Sequence, residues 1–234
     1  IAIGESALTA LTSGANNVAI GYQAADALTT GGTNTIVGNN AFSAASGTES
    51  SNVAIVYNAM ADANHDDADN NVIIGAFAGD EIGANAFANS VVIGFAAVSD
   101  IPTSAASGTV AIGSGALQLV TSGAGNIAIG YGAMKENTTG QANIAIGYAA
   151  MDGSGGTNPA DSDHNIFIGY SSGGGDWSSG ADAKNEFNVA IGNSTMSAAL
   201  AGANYNTGVG YNSISAVTEA DYSVAVGKDA LLSL

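Results

Sequence analysis

Asn126-Ile127-Ala128-Ile129-Gly130-Tyr131-Gly132-Ala133-Met134 returns seventeen residues later as Asn143-Ile144-Ala145-Ile146-Gly147-Tyr148-Ala149-Ala150-Met151. The same wording (a polar residue, three mostly apolar residues, a glycine) occurs thirteen times along the 234 residues. Its closing position falls at 4, 21, 38, 56, 75, 94, 113, 130, 147, 169, 192, 210 and 227, and Val56 alone is not glycine. Successive copies lie 17 to 23 residues apart. A period of that size marks a repeat architecture, in which each coil buries its apolar surface against its neighbours.

The phrase is too short for a helix and its residue types favour a strand. The residue before the closing position is Ile or Val in every copy, and the residue two earlier is Ile or Val except at Thr35 and Thr207. Such stiff, β-branched side chains suit a pleated, packed surface. One coil therefore reads as a strand, a tight bend, a second apolar edge and a polar return. The third residue after the closing position is small, as at Ala24, Ala41, Ala59 and Ser213, and the fourth is often large, as at Phe42, Met60, Leu117 and Met134. Length variation is confined to the return, as expected when insertions map to one face of a solenoid. Stacking such coils pairs each strand with its equivalent in a parallel sheet. The fold class that follows is all-β, a parallel β-solenoid of about 13 coils of 17–23 residues, as one repeat domain over 1–234.

Alternation along a strand sends neighbouring side chains to opposite faces. The two Ile/Val rows, Ile129 among them, are expected to face the core of the coil. The residues between them, such as Ala19, Ala128, Ala145 and Phe167, are expected to face the other way. That second row contains no polar residue, so both faces are apolar. A face of this kind calls for a partner, and a coaxial homotrimer is the expected assembly. The Asn that opens most copies (Asn17, Asn34, Asn52, Asn71, Asn126 and others) is expected to form a hydrogen-bonded ladder from coil to coil.

The Asn/Ser-Val-Ala-Ile-Gly phrase, followed by a small residue three positions on, resembles the head repeat of YadA-like trimeric autotransporter adhesins. It also resembles the shaft repeat of bacteriophage tail fibres, whose wording Gly210-Tyr211-Asn212-Ser213-Ile214 matches closely. The resemblance covers the whole chain. It implies a left-handed β-roll, a homotrimer and a location on a virion or cell surface. It implies attachment to a host-cell glycan or protein receptor, and it carries no catalytic residues. Coils longer than the adhesin heads favour the phage fibre, with the adhesin head as the alternative and an ice- or mineral-binding solenoid as a lesser one. Because the chain opens and closes inside repeats, at Ile1-Ala2-Ile3-Gly4 and Lys228-Asp229-Ala230-Leu231, it is expected to be an excerpt of a longer fibre.

Twenty acidic residues against Lys135, Lys184 and Lys228 give a net charge of −17. That balance argues against nucleic acid and anionic lipid as partners. No cysteine is present, and no apolar run is long enough for membrane insertion of this segment. Chemistry has few candidates. His65 and His164 lie in returns about five coils apart, and Gly113-Ser114-Gly115 and Gly208-Val209-Gly210 are bend glycines without a phosphate-binding Lys. No catalytic residue and no cofactor are expected, so the chain is read as a non-enzyme. Two acidic returns carry the Ca²⁺ candidates Asp66, Asp67, Asp69, Asp161 and Asp163, since alternating Asp and Asn supply oxygens. The longest returns, 152–164 and 171–187, carry the receptor-contact candidates Trp177, Asp176 and Tyr170. The alternative for Trp177 is that it folds back over the coil edge. Tyr22, Tyr57, Tyr131, Tyr148, Tyr170 and Tyr211, with Phe95, follow the closing residue and are expected to stack at a corner with their hydroxyls outward.

Overall fold

The computed structural model of the chain describes residues 1–84, 86–99, 106–155, 162–175, 177, 184–198, 200–216 and 218–232. The chain is an all-β solenoid with thirteen short strands, and the described residues contain no α-helix. Contacts divide it into two compact units, Ile1–Gly115 and Ala116–Leu234. The first holds β1 (Ala2–Ile3), β2 (Val18–Ile20), β3 (Thr35–Val37), β4 (Val53–Ile55), β5 (Val72–Ile74), β6 (Val91–Ile93) and β7 (Val110–Ile112). The second holds β8 (Ile127–Ile129), β9 (Ile144–Ile146), β10 (Ile166–Ile168), β11 (Val189–Ile191), β12 (Thr207–Val209) and β13 (Val224–Val226). Within each unit every strand pairs in parallel with the next, and equivalent repeat positions are partners, as Ala54 with Ile73 and Ile129 with Ile146.

The core corrects the expected assignment of strand faces. From β2 to β13 the middle residue of the strand is the buried one: Ala19, Ala54, Ile73, Ala111, Ala128, Ala145 and Phe167 are fully covered. The flanking Ile and Val residues point outward, with Ile20 37% and Ile191 40% exposed. The reason is volume. The fourth residue after the closing position also turns inward, and Phe42, Met60, Leu117, Met134 and Met151 fill the coil from that side. Only a small residue fits opposite most of them. The compensation reverses where the strand centre is large. Ile73 faces Gly79, where an added Cβ would lie 3.1 Å from the Ile73 Cδ1, and Phe167 faces Gly173, where it would lie 2.5 Å from the Phe167 ring. In β12 the centre is Gly208, with Ile214 across from it. Interiors packed this closely register a change of a single methylene.

The closing glycine turns the chain at a φ between +124° and +152°, a region that residues with a Cβ avoid. A Cβ on Gly21 would be driven into the carbonyl oxygen of Gly38 in the next coil, so close stacking also demands glycine. Val56 meets the same bend at φ 95°.

Two measurements check this packing. Ile73→Ala is expected to lower stability by about 2–5 kcal/mol and Ile20→Ala by under about 1 kcal/mol in the unassociated chain. Equal losses in denaturant unfolding would restore the opposite facing. Val56→Gly is expected to raise stability by about 1 kcal/mol, because relief of backbone strain outweighs the added chain entropy; a lowered melting temperature would contradict it.

Candidate functional site

Three features of the surface follow from the register: an outward sheet face, ladders of aromatic rings and ladders of polar side chains. On the sheet face, Val53 with Ile55, Val72 with Ile74 and Val91 with Ile93 repeat in line through the first unit. Ile127 with Ile129, Ile144 with Ile146 and Ile166 with Ile168 do so in the second. Every such residue is partly or fully exposed, and no strand residue is charged.

The polar ladder beneath this face is internal. Asn34 donates its backbone N–H (2.9 Å) and its side-chain Nδ2–H (3.1 Å) to Asn17 Oδ1, and Nδ2 also donates to the Glu49 carbonyl. The pattern repeats at Asn71, Asn165, Asn188 and Asn206, while Ser90 and Thr109 continue it with one bond each. These asparagines are buried, so the ladder supports the fold and offers nothing to a ligand.

A second polar ladder occupies the position two residues before the opening Asn, and it takes up acidic residues that read as Ca²⁺ candidates. Asp69 Oδ1 accepts the Ser50 N–H (2.6 Å) and Asp163 Oδ1 accepts the Gln141 N–H (2.6 Å), in each case from the preceding coil. Asp221 and Asn204 hold the equivalent N–H groups of Asn204 and Glu186. Asp66 Oδ1 accepts the Thr48 N–H (3.2 Å), and Asp67 sits 3.8 Å from His65 Nδ1. Asp161 lies outside the described residues. Among the described residues no group of three or more His, Asp or Glu side chains is arranged to hold a metal ion.

The receptor-contact candidates separate. Trp177 is only 4% exposed, with its ring tilted against Phe167 at 5.5 Å and its backbone N–H bonded to the Gly153 carbonyl. Its indole therefore covers the coil and is not presented to solvent. Asp176 lies outside the described residues. Tyr170 is exposed, in a stack with Tyr148 and Tyr131 at ring separations of 5.2 Å. In the first unit Tyr57, Phe77 and Phe95 meet edge to face instead.

A further stack was not anticipated: His164, Phe187, Tyr205 and Tyr222, with rings 5.0–5.1 Å apart and within 14° of parallel. All four precede the strand and have positive φ values of 56–60°, where the first unit has mainly Asn, Ser or Thr. A bulky residue in that conformation costs about 1 kcal/mol, which stacking of about 0.5–1.5 kcal/mol per pair offsets. The signal in the sequence is an aromatic residue two positions before the strand, just ahead of the opening Asn or Ser, in successive copies.

Three carboxyl groups are displaced from the ordinary carboxylate range: Asp80 and Asp152 upward, and Asp229 downward, chiefly through the hydrogen bond it accepts from Asn212. Burial pushes Asp80 from 3.8 up to about 6, against a lowering backbone hydrogen bond, with the Glu81 and Asp62 carboxylates adding to the rise. Burial also raises Asp152, with Glu136 adding and Lys135 opposing. Compared with known protein families, with curated proteins and with solved structures, the chain matches none.

The Asp80 shift fixes a pH dependence. Folding favours the protonated carboxyl, so its stabilising contribution is whole below pH 3.8 and lost as pH rises through about 6. Asp80→Asn is expected to remove that loss. Thermal melts of the parent chain should fall relative to the variant across this window; parallel curves would contradict the assignment.

Proposed function

We propose that this chain is part of an elongated homotrimeric fibre used for attachment to a cell surface, as the shaft of a bacteriophage host-recognition fibre. The single observation that carries the reading is the uncharged, apolar sheet face left open by the coils. In the first unit its rows run over six steps of about 4.8 Å, about 29 Å in all, which is a continuous stripe and not a scatter of single residues. Copies of the same chain offer the matching repeat spacing, so three faces can meet row on row around a shared axis. The acidic residues lie in bends and returns, off this face, where they keep assembled fibres from sticking side by side.

The repeat wording supports the fibre reading from a separate direction, through its resemblance to phage shafts and adhesin heads. Its place is a virion or cell surface, and its partner there is a glycan or protein receptor. The role is mechanical: the shaft holds a recognition element away from the particle, without catalysis or a cofactor. An ice-binding face would call for rows of Thr, and the strands contribute Thr35 and Thr207 only.

Sedimentation tests the assembly. The parent chain is expected to run as a trimer, and Ile129→Lys with Ile146→Lys to run as a monomer with its strand signal intact. A parent chain that stays monomeric at micromolar concentration would overturn the reading. In the assembled fibre, loss of trimerisation should weaken cell binding by about 100-fold through lost multivalency.

A further inference from the structure

The side chains that oxidants attack are sorted in this molecule by exposure. There is no cysteine, Met60, Met134, Met151 and Met196 are at most 1% exposed, and Trp177 is 4% exposed. All eight tyrosines, by contrast, are at least 44% exposed. An oxidant reaching this surface meets phenols, while sulfur and indole are buried.

Five of the eight are held against one another. Tyr131 and Tyr148 stack at 5.2 Å and 13°, Tyr148 and Tyr170 at 5.2 Å and 8°, and Tyr205 and Tyr222 at 5.1 Å and 2°. The other three differ. Tyr57 meets Phe77 edge-on, Tyr211 lies 6.0 Å from the Lys228 ammonium, and neither they nor Tyr22 stack on a tyrosine among the described residues.

We propose that the stacked tyrosines are oxidative cross-linking sites, where hydrogen peroxide acting through a haem-type one-electron oxidant joins neighbouring coils by a dityrosine bond. Each of two stacked phenols gives up its hydroxyl hydrogen as an electron and a proton. The phenoxyl radicals carry spin on the ring carbons beside the oxygen, and a Cε–Cε bond forms between the two rings. The hydrogens on those carbons then move to the oxygens, which restores both phenols. The two electrons and two protons removed reduce one hydrogen peroxide to two waters.

The fold favours coupling within one chain over coupling between chains. Register keeps the second ring beside the first throughout the radical's lifetime, which is the advantage of an intramolecular reaction. The net charge of −17 repels a second, unassociated copy. The product is a covalent staple from one coil to the next, where a solenoid relies on nearest-neighbour contacts. It closes a loop of 17 or 22 residues and so restricts the unfolded chain. None of this depends on the fibre reading.

The experiment treats the folded chain with hydrogen peroxide and a haem peroxidase. Dityrosine fluorescence is read together with mass spectrometry of the peptides and a denaturing gel. Expected are peptides linked through 131–148, 148–170 and 205–222, each lighter by two hydrogens, in chains that still migrate singly. Tyr148→Phe keeps the ring stack but removes two of the three pairs, leaving the 205–222 link alone, while Tyr22→Phe changes nothing. Circular dichroism of both variants should match the parent, which separates lost chemistry from lost fold. Links spread equally over Tyr22, Tyr57 and Tyr211, links mainly between separate chains, or tyrosine oxidation without any dityrosine would each overturn the proposal.

Discussion

Everything in these coils rests on the parallel, in-register hydrogen bonding of one three-residue strand to the next. With Val18 N–H bonded to the Asn34 carbonyl and Gly21 N–H to the Ile3 carbonyl, each coil is tied both forward and back. The register then decides what every side chain touches. Each residue has its own repeat-mate as neighbour, so a single advantageous residue becomes a row when the sequence repeats it. Asn produces a buried amide ladder, Tyr and Phe produce ring stacks, and a mixed row of Asp, Asn and Ser caps backbone N–H groups of the preceding coil. A like-charged row would instead repel along its whole length. The apolar and amide rows therefore line the strand, and the acids lie in the bends and returns.

The same constraint sets the composition. Coils spaced as sheet strands leave no room for a Cβ at the closing bend, so glycine recurs there. Inside, the cross-section is small enough that two inward positions share one volume. Ala145 sits in a coil with Met151, whereas Phe167 is matched by Gly173 and Gly208 by Ile214. In most coils a large residue at one of these positions is matched by a small one at the other, while Ile36 and Phe42 are both large and Ala19 and Ala25 both small. The surface is left with the larger β-branched residues, which supply strand propensity but find no room inside. This accounts for a 46% hydrophobic chain that carries seventeen net negative charges. The acidic residues lie in the bends and returns, and the strand face carries none of them.

The two units spend their variable positions differently. Before the strand the first unit places Asn16, Thr33, Ser51, Asn70 and Asn89, short polar residues in keeping with positive φ. The second places His164, Phe187, Tyr205 and Tyr222 in the same backbone conformation and supports them by stacking. A uniform shaft has no need of that difference. It gives the second unit a distinct surface, and with Tyr131, Tyr148 and Tyr170 it concentrates the stacked phenols there.

The sequence alone determined the repeat, its strand, its bend and its parallel stacking. Periodicity is a property of the chain, and a glycine after three apolar residues leaves few backbone solutions. It also determined the Asn ladder, since Asn17, Asn34 and Asn52 recur in step. Tertiary structure decided which face of the strand is inside. Both faces are apolar, so hydropathy could not separate them, and only the inward turn of Met60, Leu117 and Met134 showed that those coils had room for Ala and not for two rows of Ile. It decided the fate of Trp177 as well, because a lone aromatic in a long return reads the same whether it reaches outward or, as here, folds onto Phe167. It placed Asp69 and Asp163 on backbone N–H groups of a neighbouring coil, a partnership that exists only once two returns some twenty residues apart in sequence are stacked.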